Sequence, residues 1–505
     1  MDKFHIEFYK WDDYKIFYDS CKKFLRLIDI QFYFPILSLY LYYHNTKYSH
    51  KKIDLDRRYF VKEILSIEYL KYYNSNSLIK AKILDNKTKN YFTEELFCKC
   101  MPILDPLHFI MNNYNNIVKR NPLLPSNYSF NTFDKINDMN NSAYIDTFFG
   151  FLCSKITTDE LNPSFCKFYG SINGIAKKYH FDITEEYDDI KNEKWFYKNL
   201  GKLFTIDMYI DSDDDSDGDS DDDSDKKSNK SNKSNKSSNK TKSSRSNKTK
   251  SSKSSNSDYS NYSDDNSDYI CLIKDIPVQL FFIEKLDGTL EDFLKKDINK
   301  DLLLSSLFQV TFALHFLQKK FNFTHNDLHI NNVMYTKTDK TYLYYKFNNI
   351  YFKIPTFGYI FKIIDFGRSI FTFGNKLFFN DTFSNHGEAE GQYTYPIRHL
   401  LYTNNNKELI IPNYNFDLCR LAITILDELC LEELDEHKDF LDFIKSLTLD
   451  VNDEYLYKLE DDFSMYIEIA KKSNRAKPSQ VIQDQIFNKF RVKKKYFPKK
   501  TYYSC

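Results

Sequence analysis

The spacing of apolar side chains in the first third of the chain predicts a hairpin and then a helix. Residues 77–104 contain two apolar runs on either side of Asp85–Asn86, a pair of residues that favours turns. Residues 142–156 carry apolar side chains at three- and four-residue spacing and follow Asn140–Asn141, a candidate cap. We therefore expect two paired strands and then a helix.

The second half begins with one more strand and continues mostly as helices. Residues 278–285 form an apolar run that ends just before a turn at Asp287–Gly288. Residues 302–321 are apolar on nearly all sides, which is typical of a helix at the centre of a helical region. Strands that precede helices predict an α+β fold with a small β-rich lobe and a larger α-helical lobe.

A polar segment separates these two halves. Residues 211–225 contain ten Asp, and residues 226–253 contain eleven Lys or Arg. Such a segment has too little apolar surface to offset its chain entropy, so we expect disorder over residues 211–268. It is either a solvated linker, or its basic arm contacts nucleic acid or another acidic partner.

Composition limits the class of protein. The 71 basic and 71 acidic side chains cancel, so net charge indicates no partner. The nine cysteines include no CxxC pair, which favours reduced thiols and no structural zinc. The longest apolar run, at 32–43, contains a proline and is shorter than the roughly 20 residues that a spanning helix needs. Without a signal-peptide pattern at its start, the protein is expected to be soluble and intracellular, with no membrane span.

Two polar motifs end apolar runs in the second half. In "FTHNDLHINNVMY" (323–335), His325 is followed by Asp327 and then by Asn332, and "YIFKIIDFGRSI" (359–370) contains Asp365-Phe366-Gly367. A surface turn explains either motif alone. Together they resemble the catalytic core of the protein kinase superfamily, whose pattern is H-R-D-x-x-x-x-N followed by D-F-G.

Phosphoryl transfer chemistry requires these residue types. A carboxylate must orient the attacking hydroxyl and accept its proton, and Asp327 is the candidate for this catalytic base. Hard oxygen ligands must hold Mg²⁺, and Asn332 and Asp365 are the candidates for that role. The resemblance therefore implies ATP and Mg²⁺ as cofactors.

The resemblance also implies residues around the nucleotide. In "FFIEKLDGTLEDFL" (281–294), Ile283 corresponds to the residue that gates the pocket, and the backbone from Glu284 to Leu286 is expected to face the adenine. In "NFDLCRLAITILDEL" (415–429), Asp417 corresponds to the aspartate that holds the catalytic-loop backbone from beneath.

Lys99 is the candidate for the lysine that binds the α- and β-phosphates. Its neighbours in "LFCKCMPIL" are apolar, whereas Lys80 and Lys82 alternate with apolar residues and fit the solvated face of a strand. Kinases pair this lysine with a glutamate, but the predicted helix at 142–156 offers only Asp146. Asp146 is either that partner or an ordinary surface acid.

The resemblance sets the expected domain boundaries. A kinase-like domain is expected at 76–490. Its N-lobe would span 76–285 and its C-lobe 286–490, with an N-terminal extension of unknown role at 1–75 and a basic tail at 491–505. The motifs are most similar to those of kinase-like proteins of giant amoeba-infecting DNA viruses.

Several positions depart from the kinase pattern. No glycine-rich loop precedes Lys99, the arginine of H-R-D is Asn326, and the usual basic residue two positions after the catalytic aspartate is His329. Asn332 and Asp365 are 33 residues apart, which exceeds the usual spacing and predicts an extra hairpin. Pro396 has no following glutamate, which leaves Arg475 without its usual partner.

Three functions fit this combination of motifs and departures. The first is an ATP-dependent kinase acting on Ser or Thr of a protein substrate, because the three polar residues nearest the chemistry are present. The second is a pseudokinase that serves as a binding or scaffold module, which the absent glycine loop favours. The third is a small-molecule kinase, because "HNDLH" is similar to the H-x-D-L-H of aminoglycoside- and choline-type phosphotransferases.

Overall fold

The computed structural model describes most of the chain outside the polar segment. The described residues are 6–37, 53–70, 76–114, 123–126, 134–210, 267–295, 299–385, 387–396, 410–429, 437–459 and 463–505.

Strands lie along the whole of the described chain. They are β1 Phe8–Lys10, β2 Leu27–Gln31, β3 Ile53–Leu55, β4 Tyr59–Tyr69, β5 Ser77–Asp85, β6 Asn90–Pro102, β7 Phe168–Ala176, β8 Tyr179–Asp182, β9 Phe204–Ile210, β10 Ser267–Ile273, β11 Ile276–Glu284, β12 Gly288–Thr289, β13 Val333–Lys337, β14 Tyr342–Phe347, β15 Ile350–Pro355, β16 Tyr359–Ile363, β17 Ile370–Phe373, β18 Lys376–Phe379 and β19 Tyr503–Ser504.

Helices lie both before residue 210 and after residue 299. They are α1 Lys15–Leu25, α2 Pro106–Ile110, α3 Asp134–Asn137, α4 Ser142–Thr158, α5 Tyr187–Ile190, α6 Lys194–Asn199, α7 Lys300–Phe321, α8 Phe416–Glu428, α9 Lys438–Leu447, α10 Phe463–Lys472 and α11 Pro478–Val481. The predicted α+β class is confirmed.

Among the described residues, six strands form an antiparallel sheet in the order β2-β7-β11-β6-β5-β4. β5 and β6 pair from Ser77–Cys98 to Asp85–Asn90, so the hairpin predicted at 77–104 is confirmed. β11, the strand predicted at 278–285, lies between β6 and β7. The sheet therefore places the strand that carries Lys99 beside the strand that ends at Glu284.

Part of the segment expected as an extension, 1–75, is built into this sheet. β2 pairs with β7, and β4 pairs with β5. Trp11 stacks with Phe17 and Phe32, and Phe17 meets Phe282 of β11 edge-on at 6.1 Å. The pairing of β4 shifts register twice, between Val61 and Glu63 and again between Ile64 and Ser66, so the alternation of apolar and polar residues that marks a strand is broken.

Helices predicted from periodicity lie where they were expected. α4 covers the predicted segment 142–156, and the Asn141 side chain caps it by accepting a hydrogen bond from the Ala143 amide. α7 is buried along nearly its whole length, as its apolar pattern predicted. It lies against β16, the strand that leads into the Asp365 motif.

The long spacing between the two motifs is explained by a hairpin of β14 and β15, as predicted. The expected basic tail, 491–505, packs against this hairpin. The Val492 amide donates to the Tyr351 carbonyl at 2.9 Å, and β19 pairs in parallel with β14. In the ranges given above, no helix is both long enough and apolar enough to cross a membrane.

The disorder predicted for 211–268 falls on residues outside the described ranges, apart from Ser267 and Asp268, which begin β10. Ile210 of β9 lies directly opposite Ser267, so the two ends of the segment are adjacent.

We predict that replacing 211–266 by a two-residue Asn-Gly turn leaves the fold intact. It should raise the free energy of unfolding by roughly 3 kcal/mol, since shortening the loop from 56 residues to two is about five halvings and each halving saves about 0.6 kcal/mol.

Chemical denaturation of the shortened and full-length chains measures this difference. A fall of several degrees in melting temperature would instead show that the segment packs against the rest of the chain.

Candidate active site

The residues predicted to bind a nucleotide line one cavity of about 380 Å³ between the sheet and β16. Its walls are largely apolar and include Leu78, Phe97, Ile283, Leu286, Met334 and Ile363. Its polar end contains Lys99, Asp146 and Asp365. A mostly apolar cleft with a few convergent charges is the usual form of a small-molecule site.

Lys99 lies between two carboxylates at this polar end. Its Nζ is 2.7 Å from Asp146 Oδ2 and 2.9 Å from Asp365 Oδ1. The Asp146 side chain is only 2% exposed, which excludes the alternative of an ordinary surface acid. Asp146 Oδ1 also accepts a hydrogen bond from the Phe366 amide at 2.8 Å. α4, β6 and the Asp365 motif therefore meet at one ammonium group.

This geometry determines the charges at the site. Burial lowers the pKa of Lys99, but the two carboxylates outweigh it and raise that pKa above its usual value. Desolvation raises the pKa of Asp365, but the Lys99 ammonium outweighs it and lowers that pKa to about 2. Burial raises the pKa of Asp146, and the neighbouring Asp365 charge adds to that rise. Asp365 is therefore ionised at neutral pH and presents a negatively charged oxygen to the cleft.

The loop with His325 and Asp327 is held from below by α8. The Asp417 carboxylate accepts hydrogen bonds from the amides of His325 at 3.0 Å and Asn326 at 2.9 Å, as the resemblance led us to expect. His325 Nε2 lies 2.8 Å from the Ile364 carbonyl, which links the loop to the strand end before Asp365. The two sequence motifs are thus joined in space.

Asn332 points its amide nitrogen back into its own loop. Nδ2 donates to the Asp327 carbonyl at 2.8 Å and lies 2.9 Å from His329 Nε2. This leaves Oδ1 as the atom that would bind a cation. In the part of the chain that the structure describes, no three His, Cys, Asp or Glu side chains form a metal cluster of their own. Asn332 and Asp365 offer the types of oxygen atom that Mg²⁺ prefers, and the ion would take its other ligands from phosphates and water.

Two residues near Asp327 were missed in the sequence. The Tyr466 hydroxyl, on α10, donates to Asp327 Oδ1 at 3.2 Å, and Arg368 Nη1 lies 3.5 Å from the same oxygen. Arg368 directly follows Asp365-Phe366-Gly367, so its proximity to that motif was a usable signal. Tyr466 lies far along the chain from Asp327, and no local pattern connects the two.

The departures from the kinase pattern have local structural counterparts. Asn326 Nδ2 donates to the Arg368 carbonyl at 3.0 Å, and Asn326 Oδ1 accepts from the Tyr393 hydroxyl at 2.8 Å. Arg475, expected to lack its usual partner, pairs with the exposed Asp453 at 2.8 Å. The connection before Lys99, where no glycine-rich loop was found, includes residues 71–75, which lie outside the described ranges.

Comparison with known proteins supports the same superfamily. No family model matches the chain. A probable serine/threonine-protein kinase of Dictyostelium discoideum is 42% identical over 92 residues, which cover 16% of this chain and 8% of that protein. A serine/threonine-protein kinase haspin homolog of Drosophila melanogaster is 25% identical over 177 residues, 34% of this chain and 31% of that protein.

A viral protein is also similar. Uncharacterized protein 098R of Invertebrate iridescent virus 6 is 43% identical over 72 residues, 14% of this chain and 12% of that protein. A solved ROP18 kinase domain in complex with AMP-PNP and sucrose covers 86% of this chain and 83% of its own, at 10% identity and a TM-score of 0.28. The chain thus spans less than a third of each curated relative. The predicted similarity to the protein kinase superfamily is confirmed.

We predict that Lys99→Met lowers the free energy of unfolding by about 2–4 kcal/mol, because it leaves the buried Asp146 carboxylate without its cation. Lys80→Met and Lys82→Met are matched controls on the exposed face of β5 and should change it by less than about 0.5 kcal/mol. Urea denaturation of the three variants tests this. Equal losses in all three would show that Lys99 has no special role.

The pH dependence gives a second prediction. The pKa of Asp365 is depressed to about 2, whereas an unfolded aspartate titrates near ~3.9. Its pairing with Lys99 therefore stabilises the fold above about pH 4, and this contribution is lost as the pH falls toward 2. In Lys99→Met the slope of stability against pH over that interval should be smaller. Identical slopes in the variant and the original protein would contradict the pairing.

Proposed function

We propose that this protein is an ATP-dependent phosphotransferase and, more specifically, a serine/threonine protein kinase. One observation carries the proposal: Lys99 lies within 2.9 Å of both Asp146 and Asp365 at the polar end of an apolar cavity. A cation supported in this way is positioned to bind phosphates. The catalytic-loop carboxylate of Asp327 lines the adjoining part of the cleft.

The adenine would occupy the apolar end. Ile283 and Leu286 line that end, and the backbone from Glu284 to Leu286 would supply its hydrogen bonds. The Glu284 side chain is engaged elsewhere: it pairs with the buried Lys362 at 2.7 Å and accepts from the Lys167 amide at 3.1 Å. These contacts fix the end of β11 and therefore the position of the backbone that would face the base.

The transfer step places each group in a separate role. The acceptor oxygen attacks the γ-phosphorus, the bond from that phosphorus to the bridging oxygen of ADP breaks, and Asp327 takes the hydroxyl proton. Asn332 and Asp365 would hold Mg²⁺, which would neutralise charge on the phosphates. Lys99 would bind the phosphates nearer the nucleoside.

A pseudokinase is the second candidate, and one contact favours it. Asp327 Oδ1 already accepts a hydrogen bond from Tyr466, at the carboxylate that a substrate hydroxyl would use. The intact set of Asp327, Asn332 and Asp365 favours catalysis instead. The partner of a kinase would be a protein substrate. The suggested contact of the basic arm 226–253 with an acidic partner concerns residues outside the described ranges.

We predict that Asp327→Asn and Asp365→Asn each lower the rate of phosphoryl transfer at least ~100-fold, because one removes the base and the other a metal ligand. Both should leave the melting temperature within a few degrees of the original. Transfer of labelled phosphate to a basic protein substrate, with Mg²⁺ and ATP, measures the rate. Arg475→Gln, on the distant surface, is the control. Full activity in both aspartate variants would refute the kinase proposal, and nucleotide binding without transfer in the original protein would favour the pseudokinase.

Activity without phosphorylation of the segment from Arg368 to Pro396 is also part of the proposal. The Asp381 carboxylate accepts a hydrogen bond from Lys135 at 2.8 Å and another from the Ser142 amide at 3.1 Å. Ser142 is the first residue of α4. A negative charge at a helix N-terminus is stabilised by the helix dipole. This carboxylate therefore supplies the local negative charge that a phosphate would otherwise add. A hydrogen bond between the neutral side chains of Asn326 and Tyr393 holds the same segment in place.

We therefore expect phosphatase treatment to leave the initial rate unchanged, whereas Asp381→Asn lowers it by about tenfold through loss of the α4 contact. Asp134→Asn, an exposed acid beside Lys135, is the matched control. The measurement is the initial rate on an external substrate. A lag that disappears as autophosphorylation proceeds would contradict this expectation.

A further inference from the structure

A second chamber of about 570 Å³ adjoins the nucleotide cavity and shares Lys99 and Asp365 with it. Asp327, Arg368 and Glu388 line its other side. The terminal phosphate of a nucleotide bound at Lys99 would extend from the shared residues toward Asp327. The chamber is therefore where the transferred phosphoryl group and its acceptor would meet.

The basic residues in and near this chamber differ in the contacts that already hold them. Lys99 is held between Asp146 and Asp365, and Lys135 is paired with Asp381 at 2.8 Å. His329 is turned into its own loop: Nδ1 lies 3.3 Å from the Asn331 amide and Nε2 lies 2.9 Å from Asn332 Nδ2. Its ring therefore supports the loop rather than the chamber, although it occupies the position where kinases usually carry a basic residue.

Arg368 is placed differently. Its guanidinium lies 3.5 Å from Asp327 and 3.6 Å from Glu388, longer than a direct charged hydrogen bond, and over the ring of Tyr466 at 5.9 Å. The side chain is 26% exposed, and Glu388 is 70% exposed. A guanidinium remains charged at all working pH values and binds phosphate oxygens in a bidentate manner. It is thus held near the reacting atoms without being committed to one partner.

We propose that Arg368 binds the γ-phosphate of ATP and takes the role of the basic residue that the catalytic loop lacks. This inference rests on the proposed function. When the phosphate enters, the guanidinium exchanges its long contacts with Asp327 and Glu388 for phosphate oxygens. The Asp327 carboxylate is then available to the acceptor hydroxyl, while Tyr466 keeps its hydrogen bond to Oδ1.

Comparison of ATP with ADP tests this role without requiring turnover. Dissociation constants of Mg²⁺-ATP and Mg²⁺-ADP are measured by calorimetry for the full chain, Arg368→Gln and Arg368→Lys. We expect Arg368→Gln to weaken ATP about tenfold and to leave ADP within about twofold, because only ATP has the γ-phosphate. Arg368→Lys should fall between, since a lysine keeps the charge but not the planar fork. Arg475→Gln removes one surface charge and should change neither constant.

Three outcomes would overturn the proposal: equal weakening of ATP and ADP, unchanged binding of both, or weaker binding of a protein substrate alone, which would assign Arg368 to substrate recognition. Melting curves of both variants show whether they fold, and Arg368→Lys provides the comparison if Arg368→Gln does not fold.

Failure of the proposed function would give a different result. If the original protein binds ATP but transfers no phosphate, the kinase proposal fails while the ATP-to-ADP ratio still decides the role of Arg368. If it binds neither nucleotide, both fail.

Discussion

The partly buried ammonium of Lys99 joins the three parts of the protein that form the site. It is carried by β6, it pairs with Asp146 of α4 and with Asp365 after β16, and its side chain is 17% exposed. Two carboxylates this close repel each other, and the cation between them makes the arrangement stable. Loss of the cation would leave a buried carboxylate beside a second negative charge, so sheet, helix and motif depend on a single group.

A second anchor, the Asp417 carboxylate of α8, fixes the loop that contains His325 and Asp327 to the helical region. The Asp417 carboxylate is fully buried. It accepts hydrogen bonds from the backbone amides of His325 and Asn326 instead of pairing with a cation. Burial raises its pKa, and the hydrogen bonds from those amides oppose the rise. His325 then reaches the Ile364 carbonyl, one residue before Asp365. The positions of Asp327 and Asp365 are therefore set by one continuous chain of hydrogen bonds from α8 to Lys99.

Elements with uninterrupted periodicity were predictable, and so were residues that lie close together in the motifs. The β5–β6 hairpin, α4 and α7 follow from their apolar spacing, and Lys99 was separable from Lys80 and Lys82 because its neighbours are apolar on both sides. β4 was hidden because its register shifts break the period of two. Tyr466 and Asp381 were hidden for a different reason. Each acts through a contact with a residue far away in the chain, and single-sequence patterns contain only local information.

Contacts between residues that are far apart in the chain also explain how the departures from the kinase pattern are compatible with the arrangement of the site. Where the kinase pattern has a charged residue that this chain lacks, a residue from another part of the chain lies nearby, either in a neutral contact or as a charge at a different position. Asn326 keeps the loop joined to the following segment through Tyr393 without an arginine. Asp381 supplies a fixed negative charge at the start of α4. Positive charge near Asp327 comes from Arg368, on the other motif, rather than from position 329. The hydrogen bond between the neutral side chains of Asn326 and Tyr393 does not vary with salt concentration or modification. The Arg368 guanidinium, in contrast, can change partners. Positive charge is thus placed where a phosphate would arrive, and the contact between Asn326 and Tyr393, which only joins the loop to the following segment, is made without charge.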